Sequence, residues 1–208
     1  MMRLSRSVLL VATLALGACS AITGKSSTFT VYAPQLAKPS AQTAVSKADW
    51  QLQIELPQSS AALDSARIAV MPRPGVLEVY PGARWRDPAP ALLRSLMVQA
   101  FDDSARVAGV SAADSGLSAD YSLAIELRDF QLEVQGAEAA AALRYTAKLF
   151  HRASNRIVAT RQFDDRQAST STDIQQAMPA FEGVLNQSLL ALVDWTVNEA
   201  NQHRAARQ

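Results

Sequence analysis

Three kinds of side chain in this 208-residue sequence have chemistry to offer. They are a single cysteine, Cys19, two histidines, His151 and His203, and the adjacent carboxylates Asp102-Asp103 and Asp164-Asp165. A cysteine thiolate is a nucleophile, and Cys19 follows an apolar run, Val8 to Leu16, that lies behind Arg3 and Arg6. An imidazole can act as acid, base or metal ligand. Here one is expected at a strand end and the other in the C-terminal tail, and each reads as structural. Paired carboxylates do acid–base work only where their surroundings push their pKa values apart, and these two pairs read as solvated helix and strand ends. There is no Gly-x-Ser-x-Gly, no His-Glu-x-x-His and no Cys-x-x-Cys. Gly24-Lys25-Ser26 has the ending of a phosphate loop, but Cys19 stands where that loop needs its first glycine and no strand precedes it. Asn186-Gln-Ser is a glycosylation sequon by letter only, because it falls on a predicted helix. The expectation is therefore no catalytic set, no metal site and no cofactor, with Cys19 as the one reactive position.

What positions Cys19 is the segment before it. A basic start, an apolar stretch and small residues ahead of a cleavage point make an export signal. The stretch is too short to span a bilayer, which needs about 20 apolar residues. Leu16-Gly17-Ala18-Cys19 resembles the lipobox of bacterial lipoproteins. That resemblance implies diacylglycerol on the Cys19 sulfur, cleavage before Cys19 and a further acyl chain, such as palmitate, on the new amine. One chain anchors only marginally and two anchor stably, at roughly 0.8 kcal/mol per buried CH₂. Among lipoproteins an Asp after the cysteine favours retention in the inner membrane. Ser20 points instead to the outer membrane, on its periplasmic face.

The expected division is a signal peptide over 1–18, a lipidated tether over 19–28, one domain over 29–200 and a frayed tail over 201–208. Residues 20–28 are small and polar, as a flexible tether requires. The remaining length can bury a real core. Net charge is +1 and becomes slightly negative once Arg3 and Arg6 are removed, and no basic stripe suggests nucleic acid. With no cysteine after Cys19 there is no internal disulfide.

Within the domain, Phe29 to Tyr32 is a short strand and Pro34 to Lys47 a loop. Trp50, Leu52, Ile54 and Leu56 alternate as one buried strand face. Arg67 to Met71 and Val76 to Tyr80 are strands, the second closed by Pro81-Gly82. Asp87 suits an N-cap and Pro88 the first helical position, which predicts a helix over 88–104 with Leu92, Leu93, Leu96, Met97, Ala100 and Phe101 at helical spacing. Tyr121, Leu123, Ile125 and Leu127 are odd-numbered, whereas Phe130, Leu132 and Val134 are even. A period of two changes phase only through an extra residue, so a bulge is predicted at Arg128-Asp129. Two further strands follow, Leu143 to Leu149 and Arg156 to Gln167, turning at Ala153-Ser154-Asn155. The last helix is capped by Thr172 or Asp173, or starts near Met178 because Pro179 suits only a first turn. The predicted fold class is α/β (α+β): a mixed, mostly antiparallel sheet with two main helices packed on it.

The block from Val76-Leu-Glu-Val-Tyr80-Pro-Gly-Ala-Arg84-Trp85 through the proline-started helix to Ser104-Ala-Arg106 resembles the ABC-type transport auxiliary lipoprotein component family, the PqiC-like lipoproteins. The lipobox and Phe29 to Tyr32 fit as well. The resemblance implies a non-catalytic accessory subunit working with an MCE-domain periplasmic protein and an ABC permease and ATPase, moving lipids between inner and outer membranes. It also implies a docking collar, with a homo-oligomeric ring as one form. An envelope assembly or scaffold lipoprotein is the alternative, and a lipid-anchored hydrolase is a third reading with no nucleophile arrangement behind it. Tyr80, Arg84 and Trp85 are the partner-binding candidates, since Arg, Trp and Tyr favour interface hot spots. The plainer reading has Trp85 packed under the helix and Arg84 paired with a carboxylate.

Overall fold

The structure, a computed structural model, describes residues 28–38 and 47–207. The chain runs β1 (Thr30–Tyr32), β2 (Gln51–Ile54), β3 (Arg67–Arg73), β4 (Val76–Trp85), α1 (Ala89–Ser104), β5 (Gly109–Ala112), β6 (Tyr121–Gln135), β7 (Glu138–His151), β8 (Arg156–Ser169) and α2 (Ile174–Ala205). All eight strands form one mixed sheet. With two helices on one of its faces, this is the expected α/β class.

β6 is the strand the others meet on. One edge pairs antiparallel with β7 along its whole length, and β7 pairs antiparallel with β8. The other edge is divided. Leu52 to Ile54 of β2 run parallel to Tyr121 to Leu123, and Ala69 to Met71 of β3 run parallel to Gln131 to Glu133. The sheet therefore forks at β6 into a β3–β4–β1 wing and a β2–β5 wing. At the fork Arg128 has no partner: Leu127 faces Tyr145 and Asp129 faces Arg144. This is the predicted bulge, and it lets Leu127 and Phe130 both point into the core, at 2% and 1% exposure.

α2 lies across β7 and β8, α1 lies across β5 and β2, and the helices touch each other. At 32 residues α2 is about 48 Å long. Near its start Phe181 meets Trp85 edge-on at 5.2 Å, while Trp85 stacks on Phe130 at 5.1 Å. Such aromatic pairs add roughly 0.5–1.5 kcal/mol each beyond the area they bury. Further along, Trp195 meets Phe163, which stacks on Tyr145 at 4.9 Å. The loop after β1 is tied to α2, because Gln35 N–H donates to Glu182 and Ala37 N–H to Asn186.

Several expectations need correction. Leu56 is not on the buried face: it lies past the end of β2 and is 53% exposed. Pro81-Gly82 does not close β4, which runs on to Trp85 through a register shift of the β3–β4 pair, with Gly82 at φ +69°. Asp87 does not cap α1. The helix starts at Ala89 behind Pro88, without a side-chain cap, and Asp87 pairs with Arg86 at 3.0 Å. The first turn leaves little for a cap to satisfy: Ala89 N–H donates to the Ser65 carbonyl at 3.0 Å, and Pro90 has no N–H. α2 begins at Ile174 rather than Met178, with Asp173 as its cap accepting from Gln175 and Gln176 N–H. Pro179 lies inside it, in the second turn, where it removes the N–H that would have bonded the carbonyl of exposed Gln175. Residues 201–205 are not a frayed tail but the last helical turns.

Candidate functional site

The three partner-binding candidates separate. Trp85 is fully buried between β6 and α2, so it is a core residue and not an interface residue. Its burial follows from β4 alternation: Ala83 and Trp85 point to the helices, and Arg84 points away. Tyr80 is half-buried and its hydroxyl donates to the Thr172 carbonyl at 2.7 Å, fastening the β3–β4 hairpin to the entry of α2. Burial, and then the charge of Asp173, push its pKa up to about 12. Arg84 is the exposed member, with its guanidinium 6.0 Å from the centre of the Phe29 ring. Cys19 lies outside the described residues.

The remaining polar candidates have structural partners. Asp164 binds Arg166 at 2.6 Å while Asp165 accepts from Gln187 at 3.2 Å, so the two carboxylates serve opposite faces of β8. Asp102 and Asp103 end α1, and burial first, then Asp103, raises the pKa of Asp102. His151 and His203, read from sequence as separate structural residues at a strand end and in the tail, have rings 4.9 Å apart against Tyr121, whose hydroxyl lies 2.9 Å from His203 Nδ1. This pairing was not legible from residue order, because it depends on α2 continuing to Ala205. Among the described residues, no group of three or more His, Cys, Asp or Glu side chains has metal-binding geometry.

The face of the sheet away from the helices is open and has two characters. Over β6 to β8 it is charged and internally paired. Arg144 bonds Asp129, and Arg166 bridges Glu133 and Asp164. Beside this network lies an open cleft of about 460 Å³. Glu55, Ser122 and Glu126 line it against Lys148, Arg152 and Phe150, with Ser122 donating to Glu55 at 2.6 Å. Over the β1–β4–β3 wing the face is apolar. Val31 pairs with Arg84, and Val79 with Ala69, while Ala83 and Ile68 point to the core. Phe29, Val31, Leu77 and Val79 thus share the outer side and are 52%, 48%, 41% and 41% exposed.

The family model for the ABC-type transport auxiliary lipoprotein component matches residues 34–193. A search of curated proteins finds no match. Among solved structures, a Xanthomonas campestris protein is 38% identical with a TM-score of 0.78, over 85% of this chain and 99% of that one. A second, an uncharacterized protein, has a TM-score of 0.63 over 80% of this chain and 97% of that one, and at 14% identity it is similar in fold alone.

Proposed function

Because the chain belongs to the ABC-type transport auxiliary lipoprotein component family, we propose that it is a non-catalytic docking subunit of an ABC/MCE-type intermembrane lipid transport system. Cys19 carries the acyl chains and holds the domain at the periplasmic face of the outer membrane. An MCE-domain protein, with its ABC permease and ATPase, is the partner it meets there. Anchoring raises the effective concentration for that partner, so individual contacts can be weak. A ring of such domains would seat the end of a periplasmic conduit.

The observation that carries the docking reading is the filled interior. A lipid shuttle encloses its cargo in a cavity lined by apolar side chains. Here the space between sheet and helices is occupied by Trp85, Phe130, Phe181, Tyr145 and Leu185, each at most 1% exposed. The cleft beside Ser122 opens outward and mixes charged with apolar walls. Of the three interface candidates Arg84 is exposed, Tyr80 half-buried and Trp85 buried.

The test is affinity capture of the full chain from detergent-solubilised membranes that also contain an MCE-domain protein of the same cell. The expected result is partner recovery without stoichiometric phospholipid. Stoichiometric lipid with no partner would overturn docking in favour of a shuttle.

A further inference from the structure

We propose that the outer face of the β1–β4–β3 wing is a membrane-contact surface, seated on the phospholipid headgroups of the bilayer that holds the anchor. The inference rests on the reading of Cys19 as acylated. It adds an orientation to that reading: this wing faces the bilayer and the charged β6–β8 face lies beyond it.

Three observations converge on this. Eight large hydrophobic side chains are exposed among the described residues, and four of them, Phe29, Val31, Leu77 and Val79, share the outer side of β1 and β4. An apolar cluster rimmed by polar groups is the mark of an interaction site, whereas singly scattered residues are not. The second observation is charge. Arg67 and Arg84 face each other across β3 and β4 on this outer side, both are exposed, and neither forms an ion pair among the described residues, whereas Arg144 on β7 and Arg166 on β8 are paired. Unpaired guanidinium groups beside aromatic and aliphatic side chains suit phosphodiester headgroups above an acyl boundary. The Arg84 guanidinium over the Phe29 ring is such a combination, with a cation at headgroup level and an apolar body beneath it.

The third observation is chain length, and it selects a membrane over a protein as the occupant. Phe29 lies ten residues after Cys19. Ten residues reach at most about 35 Å. The apolar wing is therefore the part of the domain covalently closest to the anchoring bilayer. Its contact with the bilayer needs no further partner.

The test uses the full chain in membranes. Cys19 is the only cysteine, and acylation removes its thiol, so a Leu77→Cys variant offers one reactive thiol. A Leu190→Cys variant is the control, because Leu190 is 55% exposed on α2, in the helical layer. Each is labelled with an environment-sensitive fluorophore in vesicles of phosphatidylethanolamine and phosphatidylglycerol containing brominated phospholipid. The expected result is at least threefold stronger quenching at position 77 than at position 190. Replacing Arg67 and Arg84 together with Glu should remove most of that difference. The mass of the N-terminal peptide, read on the same sample, separates this proposal from the anchor. Acylated protein with equal quenching at both positions overturns membrane contact and leaves the anchor standing. Unacylated protein still quenched at position 77, beyond the signal of the unsubstituted chain, overturns the anchor and upholds the surface. Unacylated and unquenched protein overturns both. A label that stays in water on lipid but is buried once the transporter partner is added overturns the membrane as occupant.

Discussion

Ser188 Oγ donates to the Tyr145 hydroxyl at 3.1 Å, and that hydroxyl donates to the carbonyl of Ser188 at 3.4 Å, so α2 is fastened to β7 inside the core. Both residues are fully buried, and burial pushes the Tyr145 pKa well above its ordinary value. Tyr145→Phe should cost about 1 kcal/mol, the net worth of an intramolecular hydrogen bond, because Ser188 Oγ can turn back to its own helix. Tyr145→Ala should cost about 3–5 kcal/mol through the cavity it leaves. Urea unfolding, with an unchanged denaturant slope for the Phe variant, checks both.

The two candidate caps should behave differently. Asp173 accepts two backbone N–H bonds, and Asp173→Ala should destabilise by about 1 kcal/mol. Asp87 makes only an exposed pair with Arg86, and Asp87→Ala should stay within about 0.5 kcal/mol of the parent. Equal effects in thermal unfolding would contradict the cap assignment.

The bulge residue is needed for its presence and not for its side chain. Arg128→Ala should remain folded, since Arg128 pairs only with exposed Glu126. Deleting Arg128 removes the extra residue and turns Phe130, Leu132 and Val134 to the outer face. The deletion variant is expected to lose its cooperative unfolding transition, and a cooperative transition like that of the parent would refute the phase argument.

His203 gives the fold a mildly acid-sensitive end. Its pKa is lowered, first by burial and then by His151 and Arg207. The unfolded chain therefore binds more protons in this region than the folded chain. The contribution is fully present above the ordinary histidine pKa of about 6.5 and is lost as pH falls through the lower folded value. Tyr121, Arg204 and Arg207 share that corner with the two histidines. His203→Gln should flatten the stability profile just below pH 6.5 relative to the parent, followed by near-ultraviolet dichroism. An unchanged slope there would argue against the effect.

The parts legible in the sequence were those with a period. The helical spacing of Leu92, Leu93, Leu96, Met97 and Phe101 marked the buried side of α1, and the parity switch across Arg128 marked the bulge. Contacts that depend on distant strands were not legible. Leu56 continues an alternating pattern, but the regular β2 ladder ends at Ile54 and the chain rejoins β6 only through Glu55 and Gln58, and pattern alone does not say where regular pairing stops. Asp87-Pro88 has the letters of a helix start, yet Ser65, brought in by the β3 approach, takes the N–H in question. Among the site residues, Trp85 and Arg84 are adjacent in sequence and differ completely in exposure. Only the side-to-side alternation of β4 separates them, and the register shift near Gly82 hid its phase. The apolar wing was missed for the same reason: Leu77 and Val79 look like core until the register turns them outward.

The divided edge of β6 also orders events in time. β2 and the β3–β4 hairpin join the sheet only through β6, which starts at Tyr121. Synthesis runs from the N-terminus, so more than half of the chain leaves the ribosome before its template exists. The hairpin can close early, but the parallel pairings of β2 and β3 with β6 cannot form until β6 arrives, and such long-range closures are slow. A chain whose strands wait in this way stays threadable through a narrow translocation pore, and the sheet assembles only once the late β6–β8 meander has emerged.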